Sequence, residues 1–101
     1  MPHLNRRAAF RAAMRAIAPH IPTHEFGAVV DHALDSAGLR SASAETAVWL
    51  SLIAYIRHAL TDYDEMLQQG YDRDSARHFV APEIDSILAS WGVARRLGPQ
   101  D

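Results

Sequence analysis

The chain has 101 residues, 49% of them hydrophobic and 22% charged, with a formal net charge of −2 and no cysteine. This length suits one domain with a single core. The lack of thiols removes disulfides, thiol nucleophiles and cysteine-based zinc or iron–sulfur sites, and it fits a cytoplasmic setting.

The opening, MPHLNRRAAFRAAMRAIAPH, interrupts its small apolar residues with arginine, so it lacks the uncharged stretch of a secretory leader. An Arg-rich, acid-poor start also resembles an organelle transit peptide, but the same pattern makes a first helix. That helix is predicted over about 4–18. Phe10, Met14 and Ile17 form one stripe at i, i+4, i+7, and Arg7, Arg11 and Arg15 form a second stripe beside it. The prolines of the Pro19–Pro22 stretch stop it.

A second helix is predicted over about 23–37, with Thr23 as its cap. Phe26, Val29, Val30, Ala33 and Leu34 share one face, and Gly38 is placed to end the helix in a left-handed conformation. A third helix is predicted over about 44–59, with Ser43 as N-cap. Its middle, AVWLSLIAYI (47–56), is apolar all round except at Ser51, so it belongs at the centre of a bundle. A membrane span would need about 20 such residues, so no membrane role is expected.

A short fourth helix follows over about 62–69, with Tyr63, Met66 and Leu67 inward and Gly70 closing it. The fifth starts near Arg73 after Asp72. Its apolar phase runs through Ala76, Phe79 or Val80, Ile84, Ile87 or Leu88, and Trp91. Pro82 interrupts it and predicts a kink, or two helices in line, near Ala81. Residues 92–101 have little to bury and are expected to be flexible.

The segment IRHALTDYDEMLQQGYDRDSAR (56–77) is dense in titratable groups. Helix ends explain most of them. Thr61 and Asp64 have capping-box spacing, and Asp62, Asp64, Glu65 and Asp74 fall in first turns, where the helix dipole favours acids. Asp72 is a natural N-cap. Arg57 and His58 fall in a last turn, where cations are favoured.

Metal binding is not expected. In a helix the pairs Asp62/Asp64 and Asp72/Asp74 would point about 200° apart, given about 3.6 residues per turn. As a calcium loop, the second pair lacks the required glycine and ligand positions. His20 and His24 straddle Pro22, which removes any meaning from their spacing. No nucleophile elbow, P-loop or HExxH motif is present, so neither enzyme activity nor a cofactor is expected.

Charge is distributed unevenly. Residues 1–24 hold Arg6, Arg7, Arg11 and Arg15 and no acid, whereas residues 61–75 hold five acids against Arg73 alone. The arginine stripe could lie along phosphates, face solvent, or pair with the acidic segment of its own chain or a neighbour.

The motifs IRH (56–58), TDYDEML (61–67), Gly70, DRD (72–74), AR (76–77) and Trp91, with Ile21–Pro22 and the apolar second helix, together resemble a small bacterial family. That family is catalogued only as a domain of unknown function and also occurs inside larger proteins. The resemblance spans roughly 10–91 and implies a compact helical domain, without implying any chemistry. It groups His58, Asp62, Tyr63, Asp64, Asp72, Arg73 and Arg77 as one unit.

The expectation is therefore an all-α bundle of five or six short helices around a buried central helix at about 44–59. It forms a single domain over 1–101 with its core at about 4–91. The expected function is a non-enzymatic interaction or regulatory module binding a protein partner or itself. The recognition corner would be His58, Asp62, Tyr63, Asp64, Arg73 and Arg77, with Arg77 or His58 bonded to Asp62 or Asp64. The alternative is nucleic-acid binding through Arg6, Arg7, Arg11 and Arg15.

Overall fold

The computed structural model describes residues 5–99 and 101. Five α-helices follow in order: α1 (Arg6–Ile17), α2 (Thr23–Asp35), α3 (Ala44–Leu60), α4 (Tyr63–Gln68) and α5 (Arg73–Ser90). A single 3-10 turn, Ala37–Leu39, lies between α2 and α3. No strand occurs among the described residues. The expected start of the first helix at residue 4 lies outside the described residues.

Helix α3 is the central element. It packs against α1, α2, α4 and α5, while α1 pairs with α2 on one flank and α4 with α5 on the other. Ala47, Val48, Trp49, Leu52, Ile53 and Ile56 are buried along it. Phe10 and Met14 of α1, Val29, Val30 and Ala33 of α2, and Ala76, Val80, Ile84 and Leu88 of α5 complete the core. A polar tie adds to the α2–α3 contact, since the Tyr55 hydroxyl donates to Glu25 Oε2 at 3.2 Å. Burial, and then the Glu25 carboxylate, raises the Tyr55 pKa.

The helix ends follow from local chemistry. Asn5, Ser43 and Asp72 each accept a backbone N–H at the start of α1, α3 and α5. Helix α2 begins differently: Thr23 is already helical, Pro22 occupies the cap, and no side chain caps it. Gly38 also departs from expectation. It sits in the 3-10 turn, and the left-handed glycines are Gly70 and Gly92.

Both of these glycines close Schellman motifs. After α4, Gly70 N bonds Leu67 O and Tyr71 N bonds Met66 O. After α5, Gly92 N bonds Ala89 O and Val93 N bonds Leu88 O. The second motif reverses the chain and buries Val93. Leu97 packs partly buried against the core, and Asp101 Oδ1 accepts the Trp49 indole N–H at 3.2 Å. The expectation that residues 92–101 have little to bury therefore does not hold at Val93 and Leu97.

At Pro82 two helices in line are not formed: α5 runs as one element through the proline, and the stripe Ala76, Val80, Ile84, Leu88 is buried on both sides of it. Phe79 is 60% exposed, with Val80 taking the inward position. In α3, Ser51 is fully buried and Leu50 is exposed, the reverse of the polarity pattern.

Two stability outcomes follow. The Ser51 Oγ is buried without a hydrogen-bond partner, so Ser51→Ala should stabilise the fold by about 1 kcal/mol in urea unfolding. Gly92 has φ +80, and a Cβ there would lie 2.9 Å from His20 Nδ1, whereas Gly70 at φ +101 faces open space. Gly92→Ala should therefore destabilise by more than the roughly 1 kcal/mol expected for Gly70→Ala.

Candidate functional site

The end of α3 and the start of α4 form a sharp corner. The Thr61 hydroxyl donates to Arg57 O at 2.5 Å and accepts the Tyr63 N–H at 3.2 Å, which fixes the turn. The expected capping box does not form, because Thr61 takes the Tyr63 N–H rather than that of Asp64 and Asp62 stands at the N-cap of α4. Asp64 instead turns to His58, with Nδ1 to Oδ1 at 2.6 Å. An ionised carboxylate can only accept, so Nδ1 carries the donated proton. In neutral His58, Nε2 is then left as an acceptor. This is the carboxylate–imidazole half of a general base, and no nucleophile is placed against it by any contact among the described residues.

Tyr63 is buried beneath this pair. Its ring meets His58 edge-on at 5.4 Å, and the Arg57 guanidinium lies 5.7 Å from its centre. His58, Tyr63 and Asp64 are thus brought together. Asp62 heads α4 and is exposed, with no side-chain capping bond. Arg73 and Arg77 are exposed on α5. Among the described residues Arg77 makes no hydrogen bond or ion pair with His58, Asp62, Tyr63 or Asp64. It borders a different feature, a cleft of about 620 Å³ shared with Arg57, His78 and Asp85.

Asp72 accepts the Ser75 N–H at 2.8 Å. That bond, and then the Ser75 hydroxyl, holds its carboxyl below the usual carboxylate range. Its stabilising effect is therefore present above the unfolded-state pKa and lost as pH falls through the depressed folded-state value. The acid is accounted for by capping.

The arginine stripe of α1 is engaged within the chain. Arg7 pairs with Asp31 of α2 at 2.9 Å, with both side chains more than half exposed. Arg6 donates to Leu39 O at 2.9 Å and lies over the Phe10 ring. Arg11 and Arg15 lie over Phe26 at 5.0 and 5.5 Å. The stripe thus covers a half-buried aromatic ring on α2 and meets α2 rather than the acidic segment at 61–75.

Two features were missed by sequence reasoning. Phe79, one of the two positions offered for the inward phase, stands out from α5 with Tyr71 edge-on at 5.8 Å and His78 at 6.1 Å. Its neighbour Val80 fits the same helical phase, and a choice between the two was the available signal. Arg57 was read as a helix-end charge and is in fact 7% exposed. Its position directly after Ile56, one turn beyond Ile53, carried that signal. Among the described residues no three His, Asp or Glu side chains gather as a metal site, and no helix is long and apolar enough to cross a membrane.

The five helices, the corner and the buried central helix fall almost entirely within one sequence family. The model of that family, described as an uncharacterized conserved protein (DUF2293), matches residues 13–92. The chain belongs to this family. The DUF2293 segment takes in the corner, the α5 aromatics and Gly92, while Arg6, Arg7 and Arg11 precede it. No curated protein and no solved structure matches the chain.

The His58–Asp64 pair is about half exposed on both sides, so His58→Ala and Asp64→Asn should each cost at most about 1 kcal/mol. Tyr63→Ala should cost about 3 kcal/mol or more, because it empties a buried site. Equal losses in chemical denaturation would mean that the ion pair, and not the buried ring, holds the corner.

Proposed function

We propose that the protein is a non-enzymatic interaction module that binds a basic, partly apolar segment of a protein partner on the outer face of α5. The observation that carries this reading is the exposed ring of Phe79, clustered edge-on with Tyr71 and His78. A large exposed aromatic cluster costs solvation unless something covers it, and aromatic side chains with two stiff torsions are effective anchors. Charge supports the choice of partner. Glu83 lies four residues after Phe79 and is exposed on the same side of α5. Arginine of a partner could stack on the rings while pairing with this carboxylate. Self-association through the same face, and a cytoplasmic setting, remain part of this proposal.

The second reading is nucleic-acid binding by Arg6, Arg7, Arg11 and Arg15. It is favoured by their exposure along α1 and weakened by their engagement with Asp31, Leu39, Phe10 and Phe26.

Helical peptides with arginine and leucine at matching spacing, titrated into isotopically labelled protein, separate these readings. The proposal expects amide shifts centred on Tyr71, His78 and Phe79, no shifts with glutamate-for-arginine control peptides, and loss of binding in Phe79→Ser at unchanged melting temperature. Basic peptides that leave this face unperturbed would overturn it. Duplex DNA binding at low salt that disappears in the Arg7/Arg11/Arg15→Ala variant would favour the second reading.

A further inference from the structure

Beyond the Gly92 turn the chain lies on the helices as a strap without regular secondary structure from Val93 to Gly98. Val93 enters the core, and Leu97 packs partly buried against it. Beyond Val93, two hydrogen bonds among the described residues hold the strap to the helices, and both use helix side chains. Asp85 Oδ1 of α5 accepts the Leu97 N–H at 3.0 Å, and the Trp49 indole of α3 donates to Asp101 Oδ1 at 3.2 Å. A third contact is a stack, with the Arg95 guanidinium 4.0 Å from the centre of the Trp49 ring. Asp101 also favours the charged form of buried Arg57, which burial, and then the Arg77 charge, disfavour.

The helices therefore present in one groove an aromatic face, an indole N–H close to a buried cation, and a carboxylate. The strap answers each with one group: the Arg95 guanidinium, the Asp101 carboxylate and the Leu97 N–H. It does not fill the groove. It walls two clefts, one of about 380 Å³ beside Ile17, Trp49 and Val93, the other of about 620 Å³ beside Arg57, Ala81 and Leu97. Space left on both sides forfeits dispersion contacts that a better-fitting segment would make. Few bonds and little apolar burial also make such a segment open at lower free energy than a packed helix. Trp49, Arg57 and Asp85 lie inside the family segment 13–92, and the strap lies outside it.

We propose that the groove is a peptide-binding site and that the strap is its resident, displaceable occupant. The external ligand is an extended segment of a protein partner with the strap's own pattern: an arginine, an aliphatic residue two positions on, and an acidic residue four positions beyond that. The strap competes with this segment and so holds the site closed in the free protein. Ala81 and Asp85 lie on a different side of α5 from Phe79 and Glu83, so the groove is separate from the aromatic face.

The test uses the full chain and a fluorescein-labelled peptide of the strap sequence, VARRLGPQD. In the free parent, the Leu97 amide and the Trp49 indole N–H should exchange with solvent by local opening, well before the amide of Leu52. A tethered segment competes at an effective concentration of about a millimolar. The peptide should therefore bind the Leu97→Ser/Asp101→Asn chain about tenfold more tightly than the parent, shifting the Trp49 indole signal as it binds. A peptide carrying the same two substitutions should bind neither chain. If the double variant does not fold, Asp101→Asn alone is read in the same way. Failure of both to fold would make the strap part of the core and overturn the proposal. So would Leu97 exchange through global unfolding only, or peptide binding that does not distinguish variant from parent. Shifts confined to Tyr71 and Phe79 would place the peptide on the aromatic face and overturn the groove alone.

Discussion

The structure depends on burying most of one helix: from Ala47 to Arg57 the one exposed residue is Leu50. Along α3, Ala47, Val48, Leu52 and Ile56 are fully removed from water, with Trp49 and Ile53 nearly so. Each large aliphatic or aromatic side chain buried in this way contributes about 1.5–3 kcal/mol. No single neighbour could cover all of those faces. Helices α1 and α2 cover one flank and α4 and α5 the other, so each pair is amphipathic while α3 is not. The outer helices can therefore keep their charges in water only because the central helix carries almost none.

This constraint makes the two polar residues inside α3 stand out. Ser51 is a small defect in the packing, with a hydroxyl that bonds nothing. Arg57 is a larger one. It lies one residue past Ile56, where the apolar face of α3 continues into the corner, and it is covered by Tyr63 and by the tail that Gly92 turns back. The interactions that complete the fold thus also build a cleft around a buried cation.

Much of the fold was legible in the sequence because helical periodicity and end chemistry are local. The stripes Phe10–Met14–Ile17 and Phe26–Val29–Val30–Ala33, and the caps Ser43 and Asp72, needed only spacing and residue type. Other features depended on tertiary context. Pro82 reads as a break until the packed phase of α5 on both sides of it is known. Gly38 and Gly92 are equally good stop signals in sequence, yet only Gly92 takes the left-handed turn, because Val93 beyond it has a core to enter. The candidate site was the least legible part. The sequence left Arg77 or His58 to bond Asp62 or Asp64 and the structure forms His58–Asp64, while the burial of Arg57 and the exposure of Phe79 depend on which faces α4, α5 and the tail finally cover.

The role of α3 as shared core is tested most directly by native-state hydrogen exchange measured residue by residue. Amides of Leu52, Ile53 and Ile56 should exchange only through global unfolding, with the same denaturant dependence as the whole chain, and no amide of α1, α2, α4 or α5 should be more protected. Protection that is greatest in α1 and α2, with α3 and α5 opening together at lower free energy, would contradict a fold organised around α3.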